Sequence, residues 1–285
     1  MLSFLLKNNR INLKLILSRA GISIALLMLL VLISCAMLSH YQGIGRIRRY
    51  EINDARLPEK FDGFTIAFIS DTHYPSKFTS KRLGNAVRAI FDLSPDLLLF
   101  GGDYVEDDAY IDELFSALGR YNPPHGKYAI LGNHDAAFVE KLEQSMSRNN
   151  IMLLADTADT LRIDGSQIYL CGVKDYGSKL QKKWLKQYAD SGFTILLAHS
   201  PDYVQNADIE NISLTLSGHT HGGQVTLLGL YAPVTNSSYG RRFLSGLNYT
   251  DKGVPVVTSN GLGTSRQKLR FCAPSDIIFV TLRRK

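Results

Sequence analysis

The sequence predicts an α/β fold with a mixed or parallel β core, and two observations carry that expectation. From about residue 60, short apolar runs of strand type alternate with stretches whose apolar residues repeat at helical spacing. Five of these runs end in side chains with metal-ligand chemistry: Asp71 and His73, Asp103, the trio Asn133-His134-Asp135, His199, and the pair His219 and His221. Strand ends that converge on one crevice are the usual place for a ligand in an open α/β sheet.

The elements follow in order. Phe64 to Ser70 is β-rich, and Leu83, Ala86, Val87 and Ile90 then fall on one helical face. Leu97 to Phe100 follows a Ser-Pro-Asp turn and precedes a second helical set, Ile111, Leu114, Phe115 and Leu118. Tyr128 to Leu131 reads as a strand, followed by a helix with Phe138, Leu142 and Met146 on one side. Gln167 to Val173 is a strand, Leu180 to Tyr188 a helix, and Phe193 to Ala198 and Leu214 to Ser217 are further strands. After His221 the chain becomes Gly-rich and β-like, and Ile277 to Val280 closes it. No repeat or low-complexity linker divides this stretch.

Hydrophobic content of 45% and charged content of 20% in 285 residues suit a folded chain with a sizeable core. The net charge is +6, and part of the excess precedes residue 50: Lys7, Arg10, Lys14, Arg19, Arg46, Arg48 and Arg49. Cations flanking an apolar helix contact anionic headgroups. No nucleic-acid recognition motif and no long basic stripe is present, so the excess does not indicate nucleic acid. The three cysteines, Cys35, Cys171 and Cys272, match neither zinc-knuckle nor redox spacing and read as free thiols.

Ala20 to Leu38 is an uncharged, nearly continuous apolar run of 19 residues, about the length that spans a bilayer as a helix. The expected organisation is therefore a basic lead and transmembrane anchor over 1–45, a linker over 46–60 and one catalytic domain over 61–285. The competing reading is Leu32-Ile33-Ser34-Cys35 as a lipoprotein cleavage box, with a lipidated Cys35 and no spanning helix. Both place the chain at a membrane, expected to be the bacterial inner membrane with a single pass. Four cations precede the run and three follow it, with Arg19 abutting it, which favours a cytoplasmic amino terminus and an outward catalytic domain.

Taken singly, several clusters are weak. Asp-x-His and Gly-Asp are common in turns, Asp135 suits a helix cap, and a histidine after an apolar strand is often a satisfied core residue. Gly218-His219-Thr220-His221-Gly222-Gly223 is stronger, because the glycines leave little bulk around two ligands. Together the residues suit two cations sharing a carboxylate, an arrangement that clamps both oxygens of an in-line displacement at phosphorus and supplies a metal-bound hydroxide. The set suits Mn²⁺, Fe²⁺ or Zn²⁺.

The order Asp-x-His, Gly-Asp, Gly-Asn-His-Asp, His and Gly-His-x-His resembles the calcineurin-like metallophosphoesterase superfamily over roughly residues 60–285. Thr72-His73, Gly101-Gly102-Asp103-Tyr104-Val105 and Ser217-Gly218-His219-Thr220-His221-Gly222-Gly223-Gln224 resemble its membrane-associated bacterial branch, which includes phosphodiesterases and a UDP-2,3-diacylglucosamine pyrophosphatase of lipid A synthesis. The resemblance implies a four-layer αββα sandwich with its metal site at strand carboxyl ends, here preceded by one transmembrane helix. It also implies that Asp71, His73 and His221 hold one metal, Asn133, His199 and His219 a second, Asp103 bridges and His134 is catalytic. The implied substrate is a phosphoester or pyrophosphate, with a lipid-linked one such as UDP-2,3-diacylglucosamine a candidate; a non-catalytic scaffold is the alternative. Glu106 departs from the family's usual Asp and is expected to support its loop. Gly261-Leu262-Gly263 with Arg266 and Arg270 resembles the branch's carboxy-terminal segment, where backbone amides and arginines suit an anionic substrate.

Overall fold

The computed structural model describes residues 18–34, 43–174, 182–229 and 231–285. Two six-stranded sheets form the centre, in the orders β1-β12-β2-β3-β4-β5 and β10-β11-β9-β8-β7-β6. In the first sheet, β2 (Thr65–Ile69), β3 (Leu97–Phe100), β4 (Lys127–Ala129) and β5 (Ile151–Leu153) run parallel. In the second, β7 (Ser166–Gly172), β8 (Thr194–Leu197), β9 (Leu214–Ser217) and β11 (Pro255–Thr258) run parallel. Antiparallel β6 (Thr157–Ile163) and β10 (Gly246–Tyr249) close its edges.

The alternation of side chains along the central strands builds the layers. Ile66 and Phe68 of β2 point into a core shared with Leu170, Ile195, Leu197 and Leu216 of the opposite sheet. Ala67 and Ile69 point the other way, onto α2 (Ser80–Leu93), α3 (Ile111–Leu118) and α4 (Val139–Arg148), through Ala86, Ile90, Leu114, Phe115 and Leu142. The outer face of the second sheet packs against α5 (Lys182–Ser191) and α6 (Asp202–Ala207) through Leu185, Ala189 and Val204. The result is helix, sheet, sheet, helix, the layering that the resemblance implies.

Residues 46–60 differ from their expected role as a linker. Arg46–Asp54 is β1, paired in parallel register with β12 (Asp276–Arg284) along its full length, and Glu59–Phe61 is a short 3₁₀ turn that buries Phe61. The sequence RIRRYEIND hides the strand because it lies at a sheet edge and carries charge there, as edge strands commonly do.

The amino-terminal expectation also changes. Residues 18–34 form helix α1, and no helix among the described residues is long and apolar enough to cross a membrane. At about 1.5 Å per residue, the described part of α1 is near 26 Å long against a bilayer core of roughly 30 Å. A spanning helix over 20–38 is therefore not established. Cys35 and the basic residues up to position 17 lie outside the described residues.

Candidate metal centre

The loops that leave β2, β3, β4, β8 and β9 meet at one edge of the two sheets and bring the histidines and carboxylates together. Asp71, His73 and His221 offer ligand atoms within 4.8 Å of one another, and so do Asp103, His199 and His219. Asp103 lies between the groups: its Oδ2 is 3.6 Å from His73 Nε2 and 3.2 Å from His199 Nε2. Asp71 Oδ1 is 3.5 Å from His221 Nε2 and 4.0 Å from His199 Nε2.

The backbone is bent to achieve this. Asp71, His73, Asp103, His219 and His221 all have left-handed φ, between 40° and 67°. Such a conformation costs a non-glycine residue on the order of 1–3 kcal/mol and persists where the surroundings over-determine it. Here they do. The His73 N–H donates to Asp103 O, the Asp71 N–H to Gly102 O, and the His219 N–H to the Asp71 carboxylate at 3.0 Å. Gly132 allows the β4 loop to close in, since a Cβ there would stand 2.2 Å from Asp103 Oδ1.

Buried polar atoms test whether cations fit. Nε2 of fully buried His73 makes no hydrogen bond, a costly state for a ring nitrogen unless a ligand takes it. His199 Nδ1 is 2.6 Å from Gly101 O, which turns Nε2 toward the carboxylates. Burial, followed by His73 and the Arg270 guanidinium, holds His221 well below the usual histidine range, in the neutral form that ligates. For His73 burial acts downward, but Glu106 and the Asp103 and Asp71 carboxylates outweigh it and raise the ring. The donor set and geometry suit two divalent cations.

The structure places His134 at the mouth of this cluster. Its ring is exposed and stands edge-on to His73 with centroids 5.1 Å apart, while its N–H donates to Asp103 Oδ1 at 2.9 Å. Asn133 precedes it on the same 3₁₀ turn, exposed at the same mouth.

Three supports have partners that the sequence does not show. Glu106 Oε1 is 2.7 Å from His73 Nδ1, so this residue orients a ligand ring, a closer role than loop support. Asp135 does bond the Gly132 N–H, as a cap would, but the same carboxylate also accepts from the N–H groups of Asp103 and Tyr104. Burial, followed by the Asp103 charge, pushes it up to about 7. Ser70 Oγ donates to Asp71 Oδ2 at 2.5 Å.

The expectation for the carboxy-terminal segment is corrected. The N–H groups of Leu262 and Gly263 donate to Ser70 O and Asp71 O, and that of Ser265 to Gln224 Oε1, so these amides are committed to the protein. The glycine at 263 serves close packing, because a Cβ there would lie 2.0 Å from Thr72 O. Arg270 is buried, and all its N–H groups point at carbonyls of residues 221, 260, 261, 263 and 273. It pins the His221 loop to the glycine segment and has no face left for substrate. Arg270→Met is expected to cost about 3 kcal/mol or more, read as a Tm drop of roughly 6–12 °C; an unchanged Tm would remove this role. Arg266, by contrast, is exposed.

The calcineurin-like phosphoesterase family model matches residues 64–223, the stretch that carries both clusters. The chain belongs to this family. The uncharacterised metallophosphoesterase YkuE of Bacillus subtilis is 33% identical over 82% of this chain and 84% of its own length. The phosphodiesterase YaeI of Escherichia coli is 32% identical over 67% of this chain and 75% of its own. A zebrafish transmembrane protein with a metallophosphoesterase domain is 29% identical over 82% of this chain and 56% of its own. Membership makes the chain a metal-dependent phosphoesterase, and its two residue groups are those through which a calcineurin-like phosphoesterase of this geometry can hold divalent ions.

Proposed function

We propose that the chain is a two-metal phosphodiesterase tethered to a membrane by its amino-terminal segment, with a lipid-linked phosphodiester or pyrophosphate as substrate. The observation that carries the reaction is Asp103, whose carboxylate lies within 3.6 Å of a histidine of each ligand group. Asp71, His73 and His221 would hold one ion, Asn133, His199 and His219 the other, with Asp103 shared. Bound there, Mn²⁺, Fe²⁺ or Zn²⁺ would activate water and offset phosphate charge. His134 stands free at the mouth to give a proton to the departing oxygen. Glu106 and the Gly101 carbonyl hold the His73 and His199 rings in place.

The tether rests on α1. Except for half-buried Leu32, its large apolar side chains from Ile22 to Ile33 are 40–62% exposed, so the described chain leaves them uncovered, and the apolar run continues in sequence to Leu38. The zebrafish relative's transmembrane character supports the same reading.

The test uses full-length protein in nanodiscs, stripped with a chelator and assayed on bis-p-nitrophenyl phosphate. Turnover is expected only after Mn²⁺, Fe²⁺ or Zn²⁺ is returned. No turnover with any divalent ion would overturn the reaction. Release of the chain from membranes by carbonate washing would overturn the tether.

A further inference from the structure

A cleft of about 440 Å³ opens beside the metal centre and shares a wall with it: Thr220, His221 and Gly223 of the ligand loop line one side. The rest is largely apolar. Val225, Pro233, Val234 and Leu269 line it, and Val234 and Leu269 are 61% and 45% exposed. Its volume lies in the range of about 300–1,000 Å³ typical of small-molecule sites. The cleft is also held in shape. Gln224 donates to the carbonyls of Ser265 and Gln267 and accepts from the Ser265 N–H, which ties the two segments that form it. Val225 and Phe271 add a β-bridge between the same segments.

This arrangement differs from what a small polar phosphoester requires. Such a substrate would leave the Val234 and Leu269 side chains facing water next to a charged centre. A substrate that places its phosphate at His221 has the adjoining cleft within reach, and Arg266 adds a cation to the lining.

We propose that this cleft binds the apolar alcohol portion of an amphiphilic phosphodiester, so that Val234 and Leu269 set a preference for long-chain substrates. The proposal rests on the phosphodiesterase reading above and adds the subsite for the apolar portion and the residues that set its preference. In the step concerned, the oxygen of water bonds to phosphorus, the bond from phosphorus to the leaving oxygen breaks, and that oxygen departs with a proton. The apolar chain stays with the phosphate or leaves, according to which ester oxygen it carries.

The experiment compares methyl, butyl and hexyl p-nitrophenyl phosphates on full-length protein in nanodiscs. kcat/KM is expected to rise by about fourfold per buried methylene. The hexyl-to-methyl ratio should fall at least tenfold in Val234→Asp and in Leu269→Asp, and persist in Leu269→Met, with Tm recorded for each to separate unfolding from loss of the cleft. A flat chain-length series in the native protein, with the methyl ester turned over, would overturn the proposal and leave the phosphodiesterase reading standing. Calorimetric binding of hexylphosphonate to chelator-stripped protein gives a second readout. If no ester is turned over but hexylphosphonate binds and Val234→Asp abolishes that binding, the cleft stands and the reaction falls. Absence of both binding and turnover would overturn both.

Discussion

Asp103→Asn is expected to lower kcat/KM for phosphodiester hydrolysis by about 10³-fold or more, because a carboxylate shared by two cations is worth several kcal/mol to the transition state. The substitution is nearly isosteric. Its amide oxygen can still accept from the His134 N–H, the bond that holds the β4 loop against the β3 loop. What it loses is the charge that lies 3.6 Å from His73 Nε2 and 3.2 Å from His199 Nε2. One bound ion per chain should therefore disappear in elemental analysis. The metal-induced rise in Tm should shrink as well, since a ligand at a hundred times its Kd contributes about 2.7 kcal/mol to the folded state. Retention of two ions per chain, with activity within tenfold of the native protein, would show that Asp103 is not the shared ligand.

The position of Asp103 also explains which parts of the chain could be read directly. β3 and β9 are buried on both faces; Leu97–Phe100 stands out as an unbroken apolar run, and Leu214–Ser217, which interleaves Leu214 and Leu216 with Thr215 and Ser217, keeps the bounds that the sequence suggests. The ligands follow those strand ends, so their order along the chain already places them together. Edge strands have no such signature. β1 faces solvent with Arg46, Arg49 and Glu51, and its pairing with β12 joins residues more than 200 positions apart. The same distance hides the role of Arg270. An arginine beside a glycine segment suits an anion when only neighbours in sequence are considered. Its actual partners include the carbonyl of His221, 49 positions away. Glu106 was visible only as an unusual residue, because its partner His73 belongs to a different strand end.

His134→Ala separates the chemical step from metal binding and is expected to lower kcat by about 10²–10⁴-fold, the range for loss of a positioned proton donor. The imidazole is exposed at the mouth of the centre and makes no contribution to either ligand group, while its backbone N–H supplies the bond to Asp103. Alanine keeps that N–H, so metal content and Tm should stay at native values. The size of the loss should depend on the leaving group. p-Nitrophenolate departs readily without a proton, whereas an alkoxide needs one, so the defect should be greater for a dialkyl phosphodiester than for bis-p-nitrophenyl phosphate. Equal defects on both would assign His134 to stabilising charge on phosphorus instead. A raised KM with unchanged kcat would reduce it to a substrate-binding group. Loss of a bound ion would place the ring among the ligands, and the proton would then have to come from elsewhere in the site.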